Sequence, residues 1–141
     1  MTVVCELCDA SAGDILVSTD QLRVILVDDA NYPGFCRVIW NTHVKEMTDL
    51  STEDRNVFMQ AVWKLEAAIR LVMQPHKMNV ASLGNMVPHL HWHLIPRYTD
   101  DAHFPNPIWA AAHGNADQAA LNARRNLLPQ LRQTIISNFA S

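Results

Sequence analysis

The sequence predicts an α+β domain: a five-stranded antiparallel sheet, one long helix and a C-terminal helical part. Three observations lead there. Short β-branched runs come first, a single stretch of 3.6-residue apolar period follows, and two more strand-like runs come after it. That order of elements belongs to the α+β class. The last two strand runs are separated by about five residues, which suits an antiparallel connection. The chain has 141 residues, 49% hydrophobic and 18% charged, with only 4 Gly and 7 Pro. This suits one domain over residues 1–141 and excludes disorder and low complexity.

Each element has its own signal. Residues 14–18 and 22–28 are β-branched runs separated by Thr19, Asp20 and Gln21, a hairpin pattern. Turn residues from Asp28 to Gly34 mark a loop, and residues 35–40 form a third strand. Val57, Phe58, Ala61, Val62, Leu65, Ile69, Val72 and Met73 then recur at three- and four-residue steps, one apolar face of a helix over 51–73. Ser51 caps it, Glu53 and Asp54 favour its positive end, and Pro75 stops it. Residues 78–83 and 89–96 are the fourth and fifth strands. The stretch 99–116 reads as irregular. Residues 117–139 are helical, with Pro129 kinking or dividing them.

A net charge of −3 excludes a broad basic footprint, so no nucleic-acid partner is expected. No apolar run reaches the roughly 18–20 residues of a membrane span. The first residues have neither a basic start nor an apolar core. Three cysteines give no disulfide framework, and a reduced, cytoplasmic setting is expected.

The informative segment is His89-Leu90-His91-Trp92-His93-Leu94-Ile95. On a strand, alternate side chains share a face, so His89, His91 and His93 project together at steps of roughly 7 Å. Leu90, Trp92 and Leu94 face the core. Two chemistries suit such a row. Alternate histidines can chelate a catalytic metal, or a neutral imidazole can attack phosphorus as a nucleophile. The absence of an acidic residue within the row favours the nucleophile.

This segment fits His-φ-His-φ-His-φ-φ and resembles the signature of the histidine triad (HIT) family. The Pro33-Gly34 turn, the run from His43 to Leu50, the long helix and Gly84 fall in family order, so the resemblance covers about residues 5–98, with 99–141 an extension. It implies a HIT-like fold and a nucleotidyl hydrolase or transferase acting on dinucleoside polyphosphates or nucleoside phosphoramidates. His91 is then the nucleophile, His93 assists at the phosphate oxygens and leaving group, and His89 completes the triad. Asn79 and Asn85 resemble the amides that contact phosphate, and Asp28 stands at the position of a ribose ligand. Leu22, Val24 and Leu26 are candidates for the base pocket.

Two positions depart from the family pattern. Phe35 follows Pro33-Gly34 where many members carry histidine, and Met86 replaces a common Ser or Thr. These departures keep open a third reading, a nucleotide-binding sensor with little turnover. Cys5-x-x-Cys8 has the spacing of half a zinc site. The resemblance implies that His43 and His89 complete it as a structural zinc. Cys36 is expected in the core, and His76, His103 and His113 in solvent. The resemblance also implies a homodimer through the long helix and fourth strand, with Met78, Val80 and Leu83 close to the partner. Trp109 then reaches the other subunit's site or packs on its own sheet.

Overall fold

The computed structural model describes residues 5–9, 13–114 and 116–140. In chain order the elements are α1 (Glu6–Asp9), β1 (Asp14–Ser18), β2 (Leu22–Leu26), β3 (Cys36–Trp40), a 3₁₀ turn (Met47–Asp49), α2 (Thr52–Met73), β4 (Lys77–Ser82), β5 (His91–Arg97), α3 (Gln118–Arg125) and α4 (Leu128–Ala140). The strands form one sheet in the order β1-β2-β3-β5-β4, with every neighbouring pair antiparallel. The expected fold class is the observed one.

Strand alternation divides the sheet into two faces. Leu22, Val24, Leu26, Cys36, Val38, Trp40 and Leu94 lie on one face and pack against Phe58, Val62, Leu65 and Ile69 of α2. Leu22, Val24 and Leu26 are therefore core residues, not a base pocket. Arg23, Ile25, Arg37, Ile39, His91 and His93 have the opposite parity, and the register joins them across the sheet: Ile39 opposes His91, and Arg37 opposes both Ile25 and His93.

Local chemistry sets the ends of the elements. Ser51 caps α2 by accepting a hydrogen bond from the Asp54 amide, and Gln74 closes it in a left-handed conformation just before Pro75. Pro129 lies in the first turn of α4, where a missing N–H costs nothing, so the C-terminal pattern divides into two helices. α4 packs on α2 and β1. Gly34 has φ +94, and a Cβ there would meet Met73 at 3.2 Å. Only glycine fits the turn that leads into β3.

The fifth strand starts later than the expected 89–96. The His89 amide donates back to the Val87 carbonyl and the Leu90 amide donates to Val44, so both precede the ladder, which opens at His91. One further expectation changes. His103 is half-buried, stacked on Tyr32 with its Nδ1 2.5 Å from the Tyr32 hydroxyl, rather than in solvent. Residues 99–116 are irregular but firmly anchored at their start. Buried Asp101 accepts from Arg97 Nε at 2.8 Å and from the amides of Tyr98, His103 and Phe104. Burial alone would raise the Asp101 pKa, but these donors overcome it and hold the carboxylate well below its usual range. Among the described residues, no helix is long and apolar enough to cross a membrane.

Candidate active site and metal centre

On the face away from α2 the sheet floors a cavity of about 790 Å³. Arg37, His91 and His93 form its base; Glu6 and Leu7 of α1, the turn from Leu83 to Val87, and Pro107, Trp109 and Ala110 form its walls. Leu7 is held over Ile25 and Ile39 by apolar packing, and its carbonyl accepts from Arg23 at 2.5 Å. Gly84 has φ +88, which lets the chain turn sharply after β4 and carry Asn85 and Met86 to the rim. Met86 is 94% exposed there.

The hydrogen bonds fix the histidine tautomers. His91 Nδ1 lies 2.6 Å from the His89 carbonyl. A carbonyl only accepts, so Nδ1 carries the proton and Nε2 keeps a lone pair. His93 Nδ1 accepts from Arg37 Nε at 3.3 Å, which places its proton on Nε2. The two rings meet edge to face with centroids 4.9 Å apart. Burial, then neighbouring His91 and Arg37, push the His93 pKa down to about 4. Burial also pushes His91 down. Both rings are neutral at pH 7.

His89 stands apart from this pair. Its ring points away from the cavity into a second cluster, where Nδ1 lies 3.4 Å from both Cys5 Sγ and Cys8 Sγ and 3.2 Å from His43 Nδ1. Cys8 Sγ and His43 Nδ1 are 3.4 Å apart. The four ligand atoms all lie within 4.8 Å of one another. Hydrogen bonding does not account for this, because one lone pair cannot serve three such neighbours. His89 Nε2 donates to the Trp40 carbonyl at 2.5 Å, which leaves Nδ1 unprotonated for a ligand bond. Tetrahedral zinc with bonds of about 2.0 Å to nitrogen and 2.3 Å to sulfur requires N···N near 3.3 Å and N···S near 3.5 Å. The cluster fits. No other group of three or more His, Cys, Asp and Glu among the described residues is close enough to share an ion, and this one excludes His91 and His93.

The remaining expected residues divide. Asn85 lines the cavity. Asn79 lies on the same sheet face but one pair further along, opposite Ile95, where its side-chain oxygen accepts from Arg97 at 2.7 Å. Asp28 is exposed just beyond β2 and outside the cavity wall. Trp109 packs edge-on against His93 of its own chain, with centroids 5.1 Å apart. Phe35 leans on His93 at 5.8 Å with the Arg37 guanidinium over its ring. Sequence reasoning missed Arg37. Its signal was a single cation inside the apolar run 36–40, on the parity that faces away from the core.

An antiparallel sheet with two neutral, oppositely tautomeric histidines over an open cavity, and a third histidine beside them, defines a histidine triad protein. Residues 10–100 match the HIT domain family model, and the chain belongs to that family. It is 32% identical over 78 residues to AP-4-A phosphorylase of Mycobacterium tuberculosis, an alignment covering 51% of this chain and only 40% of that protein. It is 31% identical over 103 residues to Protein hit of Bacillus subtilis, covering 67% of this chain and 71% of that one. Among solved structures, a histidine triad protein from Bradyrhizobium japonicum superimposes with a TM-score of 0.73 at 29% identity, over 88% of this chain and 91% of the other. One from Marinobacter aquaeolei gives 0.65 at 29% identity, over 86% and 92%.

The low proton affinity of His93 sets a pH dependence of stability. An unfolded histidine titrates near pH 6.5, so between about 4 and 6.5 the unfolded chain binds the extra proton and the folded chain does not. Stability therefore rises with pH across that window: it is lost progressively as pH falls from about 6.5 to about 4 and levels off below. Relative to a His93→Gln variant, the wild type should lose about 2 kcal/mol between pH 7 and pH 5. Urea unfolding at the two pH values measures it; an unchanged difference contradicts the assignment.

Proposed function

We propose that the chain is a nucleotidyl hydrolase or transferase working through a nucleotide bound covalently to His91. The observation that carries this reading is the His91 Nδ1 contact to the His89 carbonyl, which leaves a buried Nε2 lone pair in the cavity. A neutral imidazole is both a good nucleophile toward phosphorus and a good leaving group from it. His93 Nε2–H and the Arg37 guanidinium donate to the phosphoryl oxygens, where charge accumulates as the nucleophile attacks. Asn85 is near enough to the rim to add a further donor. Leu7 and Val87 offer apolar surfaces and Trp109 an aromatic one for a base. Dinucleoside polyphosphates and nucleoside phosphoramidates are the substrate classes in view, and the Mycobacterium tuberculosis relative named for AP-4-A supports the first.

Replacing the nucleophile tests this reading. His91→Ala should cut turnover by about 10³-fold or more while leaving the unfolding midpoint nearly unchanged. Near-normal turnover of diadenosine tetraphosphate in that variant contradicts it.

Cys5, Cys8, His43 and His89 are proposed as a structural zinc site, supported by the distances above and by the His89 tautomer. Four protein ligands close the coordination shell, so zinc there supplies a clip, not an activated water. The clip ties α1, one wall of the cavity, to the segment that presents His91. Metal analysis of chain purified without added zinc or chelator should find about one zinc per chain, and almost none after Cys5→Ser with Cys8→Ser. Zinc-free wild type contradicts the proposal.

A homodimer is proposed on the surface chemistry. β4 is a sheet edge, with Val80 exposed on the α2 face and Leu83 half exposed beyond it. On α2, Trp63 is 54% and Leu71 69% exposed. An uncovered edge beside large apolar side chains is satisfied by an isologous second copy. Met78 is buried against the chain's own core, so it sits behind that contact, not in it. Sedimentation at low micromolar concentration should give twice the chain mass; a monomer contradicts it.

A further inference from the structure

His93 faces the cavity, but the groups packed against the rest of its ring cannot place a second proton on Nδ1. The His91 ring, Trp109 and Phe35 pack against it, with centroids 4.9, 5.1 and 5.8 Å away. Arg37 donates Nε–H to its Nδ1 at 3.3 Å. A guanidinium has only donors and keeps its protons at neutral pH, so this nitrogen is held as an acceptor. Phenylalanine and tryptophan transfer no proton at neutral pH. The His91 Nδ1–H is committed to the His89 carbonyl. His93 thus carries one proton, on Nε2. Giving it up would leave an imidazolate, so the ring can donate a hydrogen bond but not transfer the proton.

We propose that Arg37, by holding His93 as a neutral hydrogen-bond donor, removes the general acid from this site and restricts the chain to weakly basic leaving groups. The inference rests on nucleotidyl transfer to His91. In that step the His91 Nε2 lone pair forms a bond to phosphorus, the bond from phosphorus to the leaving atom breaks, and its electron pair departs on the leaving group. No proton is transferred. His93 keeps Nε2–H, and His91 keeps Nδ1–H, so the phosphorylated ring is cationic against the anionic phosphoryl group. Attack by water then returns the electron pair to His91 Nε2 and releases one proton to solvent. Phosphates, carboxylates and acidic phenols leave readily as anions. Alcohols and alkylamines do not, because they need protonation as they depart, so of the two substrate classes the dinucleoside polyphosphates pass and the alkylamine phosphoramidates do not.

Arg37 is also the one cation among the described cavity-lining residues, against one acid, Glu6. It lines the cavity together with His91 and His93. The same residue therefore takes phosphoryl charge and sets which leaving groups pass.

The test uses esters of adenosine 5′-monophosphate whose leaving groups run from dinitrophenol through nitrophenol and phenol to methanol. The readout is kcat/KM of the full chain at pH 6, because it reports the step in which the leaving group departs. In the wild type it should fall roughly tenfold per unit rise in leaving-group pKa. Arg37→Lys keeps a charged donor and should keep the steep slope. Arg37→Leu frees His93 Nδ1 and should flatten the slope, gaining on phenol and methanol while losing on dinitrophenol. Arg37→Gln replaces it if the Leu variant does not fold, and the wild-type slope decides alone if neither does. A shallow wild-type slope with turnover intact overturns the inference and leaves nucleotidyl transfer standing. A steep slope unchanged in Arg37→Leu or Arg37→Gln overturns it equally. No turnover of any ester, with no nucleotide attached to His91, overturns the reading beneath it.

Discussion

The hydrogen bond between His91 Nδ1 and the His89 carbonyl decides what the cavity can do. With the ring's proton held there, the nitrogen facing the cavity has a lone pair; with the ring reversed, the cavity would receive an N–H and no nucleophile. The carbonyl is in place because His89 is itself held at several points. Its amide turns back to Val87, its Nε2 donates to Trp40, and its Nδ1 faces Cys5, Cys8 and His43. Leu90 is fastened between Val44 and Trp40. The reactive ring is thus oriented by a residue whose own side chain serves a different cluster. This links the α1 arm, the edge of β3 and the start of β5 in a single chain of contacts.

Two arginines on the same sheet face show how that face divides its labour. Arg97 is 2% exposed and is neutralised by Asp101, with further bonds to Asn79 and the Asn106 carbonyl. Breaking such a buried pair from one side leaves an uncompensated charge, so it pins the chain after β5 and thereby the segment that carries Trp109. Arg37 has a different partner. Its hydrogen bond goes to a neutral imidazole, not to a carboxylate, and its positive charge stays available at the cavity floor. The first arginine builds a wall of the site, and the second defines its electrostatics.

Much of this was legible in the sequence because it rests on periodicity. The run at 51–73 alternates every three or four residues, and the strands around it have a period of two, so the fold class and the core face of each element follow. The spacing of His91 and His93 gave their common face for the same reason. His89 shares their parity but not their surroundings, since a backbone turn ahead of β5 removes it from the ladder, and period alone cannot register such a turn. Asn79 has the correct parity and the wrong distance along the strand, and Arg97 occupies it. Arg37, Glu6 and Trp109 reach the cavity from three separate parts of the chain. Their meeting depends on tertiary packing that no local pattern encodes. The half-buried His103 belongs to the same category, because its partner Tyr32 is distant in sequence.

The central claim is that phosphorus is attacked first by His91 and only then by water. The stereochemical course at phosphorus tests it most directly. A dinucleoside polyphosphate made chiral at the α-phosphorus with sulfur is hydrolysed in ¹⁸O-water, and the configuration of the product is determined. Two successive in-line displacements, one by His91 Nε2 and one by water, give overall retention. Overall inversion means that water attacked the substrate directly, and it contradicts the account.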